Sequence, residues 1–409
     1  MEGRGRGTMI LDSLAWFIVA IPLLLLTALA VELLLGLVSR RAASLPPGTL
    51  HKAAILMPAH NEAAGISRTI ALLRPALDDN IRLIVIADNC SDDTAAIARA
   101  AGATVIERHD TALRGKGHAL AFGRDWIKAQ ASQSVPDCSI PDCIVVLDAD
   151  CEIDGAGLRL LIEKACTSQR PVQSCYLLRS AADDGAMTQI SNFAMLIKNR
   201  VRQRGAAALG SPAILGGTGM AFPWTLIETA PLATSHLVED LVLGLHFARA
   251  GAAPVYLEAA TTWSDPASQQ DTLTQRTRWE QGYIQTALRH GVPVFLEGLL
   301  KLRPSLAWFG LSLLVPPLAL LMSLSLLALA VSGLLALFGA SLLPALILAA
   351  AFFLIALLLA LAWMRDGRQT VSAATLARIP LYILWKIPVY LRLASKRETE
   401  WVRTRRKGE

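Results

Sequence analysis

The stretch CIVVLDAD, residues 143–150, decides the fold. Its apolar residues run unbroken from Cys143 to Leu147 and stop at Asp148. A short continuous apolar run of this kind reads as a strand buried on both faces. Three other runs share the form: Ala53–Met57 ends at Pro58, Arg82–Ala87 ends at Asp88, and Ala103–Glu107 follows Gly102. Helix-like stretches over 64–77, 92–101 and 116–131 lie between them. Strands alternating with helices predict an α/β domain over residues 50–265, with a parallel sheet covered on both faces. In such sheets, ligands bind at the carboxyl ends of the strands. Asn61, Glu62, Asp88, Asp148 and Asp150 all collect at those ends.

Outside this domain the composition changes. Apolar residues make up 53% of the 409 residues and charged residues only 18%, against about 25% charge in a soluble domain. The excess lies in two places. Residues 14–38 are nearly all apolar and long enough to cross a bilayer. Ala28-Leu29-Ala30 looks like a signal cleavage site, but the apolar run continues through Leu35, which favours an uncleaved anchor. Glu32 in this segment is expected near the interface or facing another helix, because a lipid-facing carboxylate is costly. Pro304 to Met364 contains no charged residue, which fits spans at 306–331 and 342–364. Pro316-Pro317 should kink or interrupt the first of these. Residues 373–394, with Trp385, Tyr382, Tyr390 and Lys386, suggest an interfacial or re-entrant helix.

Lys301, Arg303, Arg365 and Arg368 flank the later spans, and Arg40, Arg41 and Lys52 follow the first. The positive-inside rule then puts the soluble domain and the tail 395–409 in the cytoplasm, although Arg4 and Arg6 of the segment 1–13 pull the other way. The net charge is +6, and the basic tail suits anionic headgroups of membrane lipids. No homeodomain, zinc-finger or RNP pattern occurs, so no nucleic acid partner is expected. None of the six cysteines forms a C-x-x-C pair. They read as small buried hydrophobes of a reducing compartment.

The polar clusters carry the chemistry. Alternation sends Asp148 and Asp150 to one side of the chain, where two hard carboxylates suit Mg²⁺ or Mn²⁺; a solvated turn is the competing reading. Asp88 to Thr94 opens a helix, with Ser91 or Asp92 as the cap and Asp88 left to accept from a base or ribose. In Arg114-Gly115-Lys116-Gly117-His118 the glycines permit close approach, and Lys116 can meet phosphate or carbonyl oxygens. Glu239-Asp240 opens a helix at 241–250, either as favourable charge at its N-terminus or with Asp240 as a general base. Across 266–303, at helical spacing, Gln275 and Arg278 share a face beside Trp279. Arg278 can neutralise a diphosphate, and Trp279 can stack on a sugar or anchor at the interface.

In their order along the chain, these residues resemble the family-2 inverting glycosyltransferases. The resemblance rests on Pro58-Ala59-His60-Asn61-Glu62, Asp88 with Ser91-Asp92, Gly115-Lys116-Gly117, Asp148-Ala149-Asp150, Gly216-Gly217-Thr218-Gly219, Glu239-Asp240 and Gln275-x-x-Arg278-Trp279. It covers about residues 50–290. It implies a GT-A fold, a nucleotide-sugar-binding, Rossmann-like α/β domain, here with flanking transmembrane helices. The Q-x-x-R-W element is shared by cellulose, hyaluronan and chitin synthases and by ceramide glucosyltransferases. The general look is closest to bacterial exopolysaccharide transferases.

The resemblance also implies roles. Pro58, Asn61, Glu62 and Asp88 would contact the nucleoside, with Lys116 near the base or diphosphate. Asp150, assisted by Asp148, would hold Mg²⁺ or Mn²⁺ on the diphosphate. Asp240, beside Glu239, would deprotonate the acceptor. Gln275 and Arg278 would stabilise the leaving nucleotide, while Thr218 and Trp279 would line the acceptor site. The expected reaction moves a sugar from a nucleotide-diphosphate sugar, with UDP favoured, to a lipid, lipid-linked or polysaccharide acceptor at the inner membrane. A glycolipid synthase adding one sugar to ceramide, diacylglycerol or another lipid is the alternative. Departures from the family are Ala87 before Asp88, where many members have a second acid, and Val238 where Thr is usual. Large processive synthases also have more membrane helices.

Overall fold

A computed structural model describes residues 2–39, 51–132, 139–180, 184–234, 236, 238–264 and 269–395, without the side chains of 2–7, 269–278, 389 and 391–395. The tail expected to meet lipid, from residue 396 on, lies outside the described residues. Helix α1 (Glu2–Val38) comes first. Then follow β1 (Ala53–Ala59), α2 (Ile66–Leu73), β2 (Ile81–Asp88), α3 (Thr94–Ala100), β3 (Thr104–Arg108) and α4 (Lys116–Ser132). Next are β4 (Cys143–Val146), β5 (Cys151–Ile153), α5 (Gly155–Ser168), β6 (Val172–Leu178), α6 (Ala186–Leu196) and α7 (Gln203–Ala208). After them come β7 (Met220–Pro223), α8 (Trp224–Ile227), α9 (Glu239–Arg249), β8 (Val255–Ser264) and α10 (Gln269–Leu300). The last helices are α11 (Pro304–Leu314), α12 (Leu318–Leu337), α13 (Leu343–Ala362), α14 (Ala373–Leu376) and α15 (Ile379–Ser395).

Two compact units result. Among the described residues, a sheet unit lies within 51–179 and 212–286. A helical unit lies within 2–39, 180–211 and 287–395. The segment expected to be one continuous domain over 50–265 thus lends α6 and α7 to the helical unit.

In the sheet unit the strand order is β3-β2-β1-β4-β7-β6-β8-β5. Strands β3, β2, β1 and β4 are parallel, as the apolar runs predict. Leu56, Ile84, Ile86, Ile144 and Val146 fill the core between them. Helix α4 comes close enough that a Cβ on Gly123 would sit 2.6 Å from Ile86 Cδ1. The sheet is not parallel throughout, however. Strand β7 runs antiparallel to β4, and β5 antiparallel to β8. A buried strand shows the same apolar run in either direction, so composition could not reveal this. The direction matters for the site: Met220 pairs with Val146, so β7 starts where β4 ends.

The helical unit contains three helices long and apolar enough to span a membrane: Thr8–Val38, Leu318–Leu337 and Leu343–Gly367. The apolar stretch expected to form one span over 306–331 is divided. Val315 is extended and Pro317 is not helical, so α11 ends at Leu314 and α12 starts afresh at Leu318. The pyrrolidine rings of Pro316-Pro317 cannot continue the hydrogen-bond ladder. Phe17, Leu337 and Phe353 are more than 70% exposed on these helices, as lipid-facing residues would be. A π-helical turn, Ile197–Arg202, joins α6 to α7. This turn and α7 then pack tightly on α1: a Cβ on Gly205 would lie 1.9 Å from Glu32 O, and one on Gly36 would lie 2.1 Å from Val201 O. This contact answers the question of Glu32. It faces another helix, fully buried, and Arg202 Nε donates to its Oε2 at 2.6 Å. Trp308 Nε1 donates to Oε1 at 3.3 Å.

Candidate active site

Strand β4 ends at Val146 and the chain leaves it as Leu147-Asp148-Ala149-Asp150. Two contacts fix this acidic turn. Thr69 Oγ1 of α2 donates to Ala149 O at 2.7 Å, and Asp148 N donates to Thr218 Oγ1 at 3.1 Å. The Asp148 carboxylate accepts from Lys116 Nζ, which also donates to Gly217 O at 2.8 Å. Lys116 stands at the start of α4, just after Gly115 in the left-handed region. Its position depends on the next residue having no side chain, since a Cβ on Gly117 would meet Leu232 O at 2.4 Å.

The loop Gly216-Gly217-Thr218-Gly219 leads into β7. Buried Gln173 of β6 clamps it. Its Nε2 donates to Thr218 O at 3.0 Å, and its Oε1 accepts from Gly216 N at 2.8 Å. Gly219 has φ +61°, and a Cβ there would strike Ser174 Oγ. Gly217 has φ +85°, and its Cβ position lies 3.3 Å from Asp240 Oδ2 and 3.5 Å from Lys116 Nζ. The acids after β4 and the acids opening α9 therefore meet at one place, over Gly217. Both had to converge there for a single reaction centre to exist.

At α9, Glu239 and Asp240 occupy the first turn, and Leu241 N donates to Asp240 Oδ1 at 2.8 Å. Crowded carboxylates shape the electrostatics. Burial, then the neighbouring Asp240, pushes Glu239 up to about 8. Burial also raises Asp148; Lys116 opposes this and Asp150 reinforces it. For Lys116, burial disfavours the charge, but Asp148 and Glu239 outweigh it and hold the ammonium above the ordinary lysine range.

Ligand atoms of Asp148, Asp150 and Cys151 all lie within 4.8 Å of one another. Two carboxylates beside an open face fit an oxygen-loving cation such as Mg²⁺ or Mn²⁺. Cys151 Sγ lies 3.3 Å from Asp150 Oδ1. Burial pushes its thiol well up, so it stays protonated and donates poorly to a metal. This is not the closed tetrahedral set of a zinc site.

The residues expected at the nucleoside end form a second cluster in the same unit. Pro58 ends its apolar run within β1. Asn61, at φ +55°, accepts from Ser91 N at 2.7 Å through Oδ1. Glu62 N donates to Thr94 Oγ1 at 2.7 Å. Ser91 and Asp92 are not the cap of α3, which begins at Thr94 after Asp93. Asp92 instead ties the two loops together, accepting from Thr94 N at 3.1 Å and Ala63 N at 3.2 Å. Asp88 Oδ1 accepts from Arg108 Nη1 at 2.7 Å and Asn89 Nδ2 at 3.0 Å.

Gln275 and Arg278 lie on the backbone of α10, three residues apart, with their side chains outside the described residues. Trp279 is half-buried. Three contributors were not singled out in the sequence. Arg108 is hidden at the end of a strand. Gly217 belonged to a motif read only for Thr218. Gln173 had a signal: it is a lone amide in the apolar strand VQSCYLL.

Known proteins resemble this chain in structure and in sequence. A mannosyltransferase from Pyrobaculum calidifontis, solved with GDP-mannose and Mn²⁺, superposes over 92% of this chain and 99% of its own, at 18% identity and a TM-score of 0.56. That likeness shows the fold. Glucosyl-3-phosphoglycerate synthase from Mycobacterium tuberculosis, solved with Mn²⁺, UDP and glucosyl-3-phosphoglycerate, matches 59% of this chain and 85% of its own, at 23% identity and a TM-score of 0.40. No curated protein sequence matches the chain. The sequence profile described as "Glycosyltransferase like family 2" matches residues 51–282, more than half of the chain and the whole of the site just described, and the protein belongs to that family of glycosyltransferases.

Proposed function

We propose that the protein is a metal-dependent, inverting transferase that moves a sugar from a nucleotide-diphosphate sugar to a membrane-associated acceptor in cell-surface polysaccharide synthesis. One observation carries the reading: the Asp148 carboxylate, the Lys116 ammonium and the Asp240 carboxylate converge around Gly217. A donor carbon and an acceptor hydroxyl held there would lie between a diphosphate-binding set and a base. Asp240 takes the proton of the acceptor hydroxyl as that oxygen attacks. Glu239, pushed up to about 8, keeps its proton at neutral pH and spares Asp240 a second charge beside it. Trp279 lines the acceptor side, while buried Thr218 fixes the backbone of Asp148. Asp88, through its remaining oxygen, and Pro58, Asn61 and Glu62 hold the nucleoside. Gln275, Arg278 and Lys116 offset the charge on the departing nucleotide diphosphate. Mg²⁺ or Mn²⁺, held by Asp150 and Asp148, would supply Lewis-acid stabilisation of that leaving group.

In this reading α1, α12 and α13 cross the inner membrane, and residues 266–303 and 373–394 lie at its surface. The basic tail 395–409 meets anionic lipid. The positive-inside pattern supports a cytoplasmic catalytic domain. The second reading, a glycolipid synthase adding one sugar, is favoured by the modest set of span-length helices, three among the described residues.

The test is to incubate purified protein in lipid with UDP- and GDP-sugars and membrane lipids, and to weigh the products. A ladder of added hexoses supports polymer synthesis, and one hexose per lipid supports the second reading. Transfer that persists at full rate in chelator overturns the metal-dependent mechanism.

A further inference from the structure

Lys116 does more in this site than wait for a phosphate. Its ammonium is already bonded on two sides, to the Asp148 carboxylate and to Gly217 O at 2.8 Å. Gly217 contributes no side chain and sits at φ +85°, a conformation that favours glycine. The Cβ position of the same glycine lies 3.3 Å from Asp240 Oδ2. The ammonium thus sits where the fields of both acidic pairs overlap.

We propose that Lys116 is a resident counter-ion that holds the metal-binding carboxylate Asp148 in the nucleotide-free protein, so that divalent cation and nucleotide diphosphate bind as a coupled pair. The inference rests on Asp148 and Asp150 being the metal carriers. A cation approaching alone competes with the ammonium for Asp148 and brings a second positive charge against it. A diphosphate arriving with the cation supplies a new partner, because its oxygens accept from the displaced ammonium. The lysine side chain is long enough to swing between the two, and its anchor at the start of α4 is fixed by the contacts of Gly117. Coupling of this kind is reciprocal: the nucleotide must tighten the metal as much as the metal tightens the nucleotide.

The experiment measures Mn²⁺ binding to the purified full-length protein by the loss of the free Mn²⁺ paramagnetic signal, with and without UDP or GDP. Lys116→Met should bind Mn²⁺ alone about tenfold more tightly than the native protein, and added nucleotide should give it much less than the native enhancement. Lys116→Gln, which keeps a donor but no charge, should behave in the same way. Weaker or unchanged Mn²⁺ affinity in both folded variants overturns the proposal, because a lysine that only orders Asp148 would make removal harmful to metal binding. In the native protein, a nucleotide that leaves Mn²⁺ affinity unaltered overturns it independently of any variant. Asp150→Ala separates the underlying assumption: if that protein still binds Mn²⁺ like the native one, the metal site itself is elsewhere.

Discussion

The two units each bury charge, and they do so in opposite ways. In the helical unit acid and base are matched: Arg202 with Glu32, and Arg204 with Asp366 at 3.1 Å. Backbone carbonyls complete the set, since Arg204 Nη1 donates to Gly36 O at 2.8 Å and Arg202 Nη2 to Ser312 O at 3.2 Å. In the sheet unit Arg108 matches Asp88, but around Gly217 the carboxylates crowd one another. Burial, with the neighbouring acids adding to it, raises both Asp148 and Glu239, and Lys116 answers to several of these groups at once. Matched buried pairs satisfy themselves and hold helices in register. Crowded like charges store unfavourable energy that a ligand can release, which is how binding and catalytic sites are commonly built.

The largest way to break this contrast is at Asp240. Asp240→Asn should lower turnover on the order of a thousandfold, the scale of a lost general base. Nucleotide binding, measured by calorimetry, should survive; loss of binding without loss of turnover would remove Asp240 from the role of base. Next is Asp150→Ala. It should abolish the metal-dependent part of nucleotide affinity, so that chelator has no further effect on the variant. Unchanged affinity in chelator for the native protein would defeat the metal assignment.

The matched pair should respond differently. Glu32→Gln or Arg202→Met alone should destabilise the helical unit by about 3 kcal/mol, because each strands a buried charge or its donors. Replacing both, by Glu32→Leu with Arg202→Met, should recover much of that loss, read as thermal unfolding in detergent. Turnover per folded molecule should hold. A single variant that keeps full stability yet loses turnover would mean that this pair is no mere fastener.

The last effect concerns pH and is confined to one group. Glu239 is pushed from its ordinary 4.5 to about 8 in the folded state. The folded protein then binds more protons than the unfolded chain between those values, so stability is greatest below about 4.5 and falls as pH rises toward about 8 from this group. Glu239→Gln should flatten that part of the stability curve. A curve of unchanged slope would mean that Glu239 is not crowded in solution.

Much of this fold was legible because burial leaves a direct mark on composition. The apolar runs place β1 to β4 within two residues of their observed ends. The acids that terminate those runs are also visible, since a charge cannot enter a strand covered on both faces. Pairing direction was less visible, as β7 shows, because an apolar strand reads alike either way. The membership of α6 and α7 was also hidden. Arg202 of the turn between them and Arg204 of α7 look like surface charge until Glu32 and Asp366 are found beside them.

The site divides along the same line. Sequence alone supplied the titratable groups, Asp148, Asp150, Lys116, Glu239 and Asp240, because chemistry resides in residue type and in strand-end placement. It also supplied the long apolar helices, whose length is set by bilayer thickness. Tertiary structure decided that residues 116, 148, 217 and 240, far apart in the chain, share one spot. Such convergence depends on the direction of β7, the left-handed turn at Gly217 and the clamp of Gln173. These are properties of packing and backbone geometry, and a one-dimensional pattern of polarity does not record them.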